Sequence, residues 1–159
     1  ALHDESAQQD ARLTGMGTTL VCLLTDGKQA VVGNIGDSRA YLIDGDGLRQ
    51  VTSDHSLVAE MVRRGELSPG EARHHPNKNV ITRALGVEQS VSCDVFPLTP
   101  GEGQFVLLCS DGLTNEVSEP EIYYEVFQSQ EPEKACDTLI DIAKDRGGRD
   151  NITVLLASF

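Results

Sequence analysis

Three aspartates stand where apolar segments begin or end, and each has glycine nearby. Phe105-Val-Leu-Leu-Cys-Ser runs into Asp111-Gly112. Ala30-Val-Val-Gly-Asn-Ile runs into Gly36-Asp37-Ser38-Arg39. Near the end of the chain the order is reversed, and Gly147-Gly148-Arg149-Asp150-Asn151 leads into Ile152-Thr-Val-Leu-Leu156. If the three apolar segments are strands whose mouths share one end of a sheet, the carboxylates converge. Converging hard oxygen donors bind hard cations such as Mg2+ or Mn2+. Each aspartate also has a plain reading. Asp111-Gly112 can be a turn, and Gly148-Arg149-Asp150-Asn151 a helix C-cap followed by an Asx turn. Asp37 can pair with Arg39 across a tight turn. The three together are harder to explain as turns.

Other chemistries find little support. His74-His75 are adjacent, a spacing that rarely shares a metal on a helix, and read as exposed loop residues. His55 lies in a cap-like segment and reads as structural. Gly36-Asp-Ser-Arg lacks the GxSxG of a nucleophile elbow, and no Walker A or Rossmann glycine pattern occurs. The four cysteines, Cys22, Cys93, Cys109 and Cys136, have no CxxC or zinc spacing. Cys22 and Cys109 lie in apolar runs and read as small core residues, which suits a reducing, cytoplasmic setting.

The elements that must position the aspartates follow from pattern. Thr18 to Leu24, Gln29 to Ile35, Arg39 to Ile43 and Leu48 to Val51 read as strands joined by Asp26-Gly27 and Asp44-Gly45-Asp46-Gly47 turns, in an antiparallel meander. The period then changes. Ser53-Asp54-His55-Ser56 caps a helix through Leu57, Val58, Met61 and Val62, and Ser68-Pro-Gly-Glu71 opens a second. Val80 to Leu85 reads as extended. Strands resume at Val91 to Leu98, with Val91, Cys93, Val95 and Pro97 on one face, and at Gln104 to Cys109. Two helices follow, one opened by the Ser118-Glu-Pro-Glu121 capping box and one from about Pro132 to Lys144, and a last strand spans Ile152 to Ala157. Residues 1–13 read as the tail of a helix. Strands, a small insertion, strands, two helices and a strand suggest α+β layers of antiparallel sheet with helices outside.

A chain of 159 residues fits one domain. Its formal net charge of −12 and the lack of a basic stripe argue against a nucleic-acid partner. No apolar stretch is long enough to span a bilayer, and no signal-peptide pattern opens the chain, so no membrane partner is expected. The first residue is Ala1, which points to a piece of a longer product.

Six motifs occur in order: Gly15-Met-Gly-Thr-Thr-Leu20, Gly33-Asn-Ile-Gly-Asp-Ser-Arg-Ala-Tyr41, Thr52-Ser-Asp-His-Ser56, Ile81-Thr-Arg-Ala-Leu-Gly86, Leu107-Leu-Cys-Ser-Asp-Gly-Leu-Thr114 and Gly148-Arg-Asp-Asn-Ile-Thr153. Together they resemble the metal-dependent Ser/Thr protein phosphatases of the PPM (phosphatase 2C-like) family, bacterial type. The resemblance implies an αββα sandwich of two antiparallel sheets flanked by helices, here incomplete and limited to about the C-terminal two-thirds. Residues 1–159 would be a partial catalytic domain, with a flap over about residues 53–86. It implies two Mn2+ or Mg2+ ions held by Asp111 and Asp150, a third ion held by Asp37 with Asp111, and Asn151 orienting Asp150. The implied reaction is hydrolysis of phosphoserine or phosphothreonine in protein substrates by a metal-bridging water. Catalytic side chains beyond the metal ligands are not identified. The family's N-terminal portion, with a phosphate-holding arginine and further ligands, has no counterpart here, and would be an expected partner of this chain. The alternative is a non-catalytic sensor or binding module on the same scaffold.

Overall fold

A computed structural model describes residues 15–129 and 131–159, so the helix expected over residues 1–13 lies outside the described residues. Two antiparallel sheets form the centre. The first holds β1 (Leu20–Thr25), β2 (Ala30–Ile35) and β5 (Asp94–Leu98), in the order β1-β2-β5. The second holds β3 (Arg39–Asp44), β4 (Gly47–Gln50), β6 (Phe105–Cys109) and β7 (Val154–Ser158), in the order β4-β3-β6-β7. Short helices α1 (Leu57–Arg63) and α2 (Pro69–His74) form the insertion, α3 (Asp111–Thr114) follows β6, and α4 (Glu119–Gln128) and α5 (Pro132–Asp145) pack outside. The expected α+β class with two antiparallel sheets and flanking helices is what the chain adopts.

Alternation along the strands builds two cores. Val32 faces Ala40, Val106 and Leu108 between the sheets, with Phe96 and Leu98 packed against them. On the far face of the second sheet, Tyr41, Ile43, Leu107 and Cys109 meet Leu113, Ile122, Val126, Ala135, Leu139 and Ala143. The helical spacing of these last residues puts one apolar stripe of α4 and α5 onto the sheet. Burying side chains of this size stabilises the fold by about 1.5–3 kcal/mol each before entropy is counted. Glu121 accepts from both the N–H and the hydroxyl of Ser118, so α4 starts where the capping box predicts.

Four expectations need correction. The first four strands are not one meander. β2 and β3 lie in different sheets, because Gly36 takes φ 103° and turns the chain out of the first sheet after Ile35. Residues 80–85 form only isolated bridges, Ser56 with Ile81 and Thr18 with Leu85, and no strand. The inward face of β5 carries Phe96 and Leu98, while Val95 is 62% exposed, the opposite phase to that expected. Cys22 is exposed on the outer face of the first sheet, whereas Cys109 is buried as expected.

Candidate metal centre

Strand register gathers the three aspartates. In the second sheet Arg39 lies opposite Cys109, and Cys109 opposite Val154. The start of β3, the end of β6 and the start of β7 therefore share one end of that sheet. Asp37 precedes β3 by two residues, Asp111 follows β6 by two, and Asp150 precedes β7 by four.

Each aspartate is held by backbone. Asp111 opens α3, and Gly112 must lack a side chain, since a Cβ there would lie 2.4 Å from the carbonyl oxygen of Asn151. That close approach brings the 150–152 segment against α3. Ser110 fixes the contact further: its hydroxyl donates to Asn151 O at 3.0 Å and accepts from Thr153 N at 3.0 Å. Asp150 Oδ1 accepts the backbone N–H of Asn151 at 2.7 Å. The Asn151 amide side chain makes no such bond, so the orienting contact expected from it comes from the main chain. Gly36, before Asp37, is equally constrained, because a Cβ would meet Thr19 Cγ2 at 2.3 Å.

The ion pair expected between Asp37 and Arg39 does not form. Arg39 turns instead to Asp54, with Nε 3.0 Å from both carboxylate oxygens and Nη2 2.7 Å from Oδ2, and it donates to Tyr41 Oη at 3.1 Å. Asp37 is left half-buried without an ion pair, and the charge of Arg39 offsets only part of the cost. Burial, then the charge of Asp111, pushes its pKa up to about 6. Asp111 is pushed up as well, by burial and then by Asp150. Asp111 thus sits within electrostatic reach of both other carboxylates and is the shared member of two like-charged pairs.

Among the described residues, no group of three or more His, Cys, Asp or Glu side chains stands close enough to hold a metal ion by itself. The donors come as pairs that share Asp111. Pairs suit Mg2+-like ions, which take one or two carboxylates and keep water or phosphate oxygens for their other positions. Crowded carboxylates with raised pKa values are also what a divalent cation relieves. The donor set therefore fits hard cations in kind.

Asn115 and Lys78 were not foreseen. Asn115 Nδ2 donates to Asp111 Oδ2 at 3.1 Å, and Lys78 Nζ donates to Asn115 Oδ1 at 3.0 Å. Asn115 could have been found from its i+4 spacing to Asp111, had Asp111-Gly112 been read as a helix start and not a turn. Lys78 carries no such signal. His55 is structural, as expected. Its Nδ1 accepts from Gly36 N at 3.0 Å and its Nε2 meets Asp94 Oδ2 at 3.0 Å, which ties the base of the insertion to the Gly36 turn. Between the insertion and α3 opens a cleft of about 640 Å³ whose lining includes Asp37, Asp111, Arg73 and Lys78.

The profile of the family described as Protein phosphatase 2C matches residues 2–152. The chain belongs to the protein phosphatase 2C family. It is 49% identical over 150 residues to the serine/threonine phosphatase stp of Listeria innocua, covering 94% of this chain and 60% of that one. It is 44% identical over 150 residues to the protein phosphatase PhpP of Streptococcus pneumoniae, covering 94% and 61%. The phosphatase 2C chain is also similar to the solved serine/threonine phosphatase Stp1 of Staphylococcus aureus, with a TM-score of 0.94 and 40% identity over 99% of this chain and 62% of that one. A structure of the catalytic domain of the phosphatase PstP in complex with two manganese ions matches with a TM-score of 0.87 and 35% identity, over 99% and 66%. The chain thus spans about 60% of the length of these curated relatives.

Proposed function

We propose that this chain is the flap-bearing part of a Ser/Thr protein phosphatase, in which Asp111 with Asp150, and Asp111 with Asp37, hold Mn2+ or Mg2+. The observation that carries the reading is that Asp111 lies within electrostatic reach of both Asp37 and Asp150, at the shared end of the second sheet, in a member of a phosphatase family. Residues 53–86 are the flap beside the cleft, within one partial catalytic domain. The PstP complex with two manganese ions supports the choice of metal, and the family supports phosphoproteins as substrates. When bound, such ions acidify water and neutralise the oxygens of a phosphoryl ester.

The chain's own residues set the geometry. The Gly112 N–H and Asn115 Nδ2 bind the Asp111 carboxylate. Asp150 is fixed by the Asn151 N–H. The overall reaction adds water across the P–O bond, releasing the Ser or Thr hydroxyl and inorganic phosphate. A protein nucleophile is not required, and the thiol nearest the site is unsuited to the role: burial pushes Cys109 up to about 12, so it stays protonated. The sensor or binding-module alternative rests on no feature that the phosphatase reading leaves unexplained.

The test is Mn2+-dependent release of phosphate from a phosphothreonine peptide. The 159-residue chain alone should show little or none. Supplying the N-terminal portion of a relative, in cis or as a separate chain, should restore turnover, and Asp111→Asn in that protein should remove most of it. Robust turnover by the bare chain, or turnover indifferent to Asp111→Asn, would refute the assignment of the centre.

A further inference from the structure

The chain carries a net charge of −12, yet residues 72–87 contain no carboxylate and do contain Arg73, His74, His75, Lys78 and Arg83. Part of this stretch lines the cleft beside Asp37 and Asp111. The other charges in the cleft are accounted for. Asp54 is bound by Arg39 at 2.7 Å, and Glu121 by Arg146 at 2.6 Å. Glu116 faces Arg149 at 3.9 Å. Glu119 accepts from Tyr41 Oη at 3.5 Å. Arg63 is spent on Ser53 Oγ at 3.1 Å and Asp54 O at 3.3 Å. Lys78 donates to the amide of Asn115, and its charge also reaches Asp111. Arg73, exposed at the end of α2, is left with no side-chain hydrogen bond or ion pair among the described residues.

An unpaired guanidinium facing a cleft presents a planar fork of donors that matches a carboxylate or phosphate. We infer that Arg73, flanked by Lys78, selects phosphoprotein segments that carry an acidic or second phosphorylated residue close to the phosphoserine or phosphothreonine being cleaved. This rests on the phosphatase reading for the cleft's purpose. The scissile phosphate is left to the aspartate end, and the second anion lies against the flap.

The experiment uses the protein produced from the whole coding region, with Mn2+. Three phosphothreonine peptides are compared, with Asp, Ala or Lys flanking the phosphoresidue, and p-nitrophenyl phosphate serves as a substrate without a peptide. The Asp peptide should exceed the Ala peptide by roughly two- to fivefold in kcat/KM, through KM, as expected of one partly exposed charge pair. Arg73→Ala should bring that ratio to about one, Arg73→Lys should keep most of it, and Arg73→Glu should favour the Lys peptide. Equal kcat/KM for the Asp and Ala peptides in the parent protein would overturn the inference, as would an unchanged ratio in Arg73→Glu. If p-nitrophenyl phosphate is not hydrolysed, the phosphatase reading is at fault. Calorimetric affinities of the same peptides then decide the role of Arg73 by the same ratios.

Discussion

Lys78 Nζ lies 3.0 Å from Asn115 Oδ1, so a residue of the insertion is joined to the side chain that donates to Asp111. Asn115 uses both ends of its amide at once. One end receives from the insertion, and the other gives to the Asp111 carboxylate. The position of the insertion and the direction of the Asp111 carboxylate are therefore set together.

Replacing Asn115 by Ala should loosen Asp111 without removing a charge. Groups that orient a metal ligand typically cost about 10–100-fold in metal affinity when lost. A Mn2+ titration followed by calorimetry or by proton relaxation should show a weakening in that range for Asn115→Ala. Lys78→Met should show a smaller one. Unaltered affinity in Asn115→Ala would mean that the 3.1 Å contact to Asp111 does not orient it.

The pH dependence of stability without metal has a defined sign. Asp37 is raised from 3.8 to about 6 in the fold. The folded chain thus keeps a proton that the unfolded chain gives up between those values. The stability this provides is complete below about pH 4 and is lost as pH rises through about 6. Asp111 is raised too and adds to the same trend, whereas Asp94, held low by His55 and Arg83, acts below this range. The clean measure is the difference in urea midpoint between the parent chain and Asp37→Asn. That difference should grow in favour of Asn from pH 4 to 6, then level off. A flat difference would show that Asp37 titrates normally.

Gly112→Ala tests the packing that brings Asp150 to Asp111. Its new methyl would lie 2.4 Å from Asn151 O, a backbone atom that cannot swing aside. Overpacking of this kind costs about 1–3 kcal/mol, and a domain of this size loses roughly 2–4 °C of Tm per kcal/mol. Thermal unfolding of the variant should fall accordingly, and Mn2+ affinity should fall with it. A control at Gly45, where a Cβ meets nothing within 4 Å, should change neither by much.

Amide exchange should separate the insertion from the core. Among the residues of α1 and α2, only Val58 is buried, and few buried contacts mean cheap local opening. Amides in residues 60–78 should exchange well before those of β6, whose Val106, Leu107, Leu108 and Cys109 are all buried. Protection equal to that of β6 would show a rigid insertion.

Much of this arrangement was legible in the chain because it is local. The run from Phe105 into Asp111 announced a strand and its end. Ser118 with Glu121 announced α4, and the helical run from about Pro132 to Lys144 announced α5. What was not legible depends on partners far away in sequence. Nothing local says that β2 and β3 part company at Gly36. The phase of β5 was misread because Val95 and Phe96 are both apolar, and only the facing sheet decides which one is covered. Arg39 chose Asp54 over the nearer Asp37 because the end of β4 brings Gln50 and Asp54 to it; Gln50 Nε2 donates to the same carboxylate at 2.9 Å.

The separation of β2 from β3 bears on how the chain folds. A link of three residues, Gly36, Asp37 and Ser38, joins β2 in one sheet to β3 in the other. β3 must then wait for β6, more than sixty residues downstream, to gain its second neighbour. Contacts of that sequence separation slow the search for the native arrangement. An early hairpin of β1 and β2 would leave Asp37 dangling at its frayed end. The carboxylate finds its place only once the second hairpin has docked across the gap, so the capacity to gather charge at that corner arises late, as a property of the assembled pair of sheets.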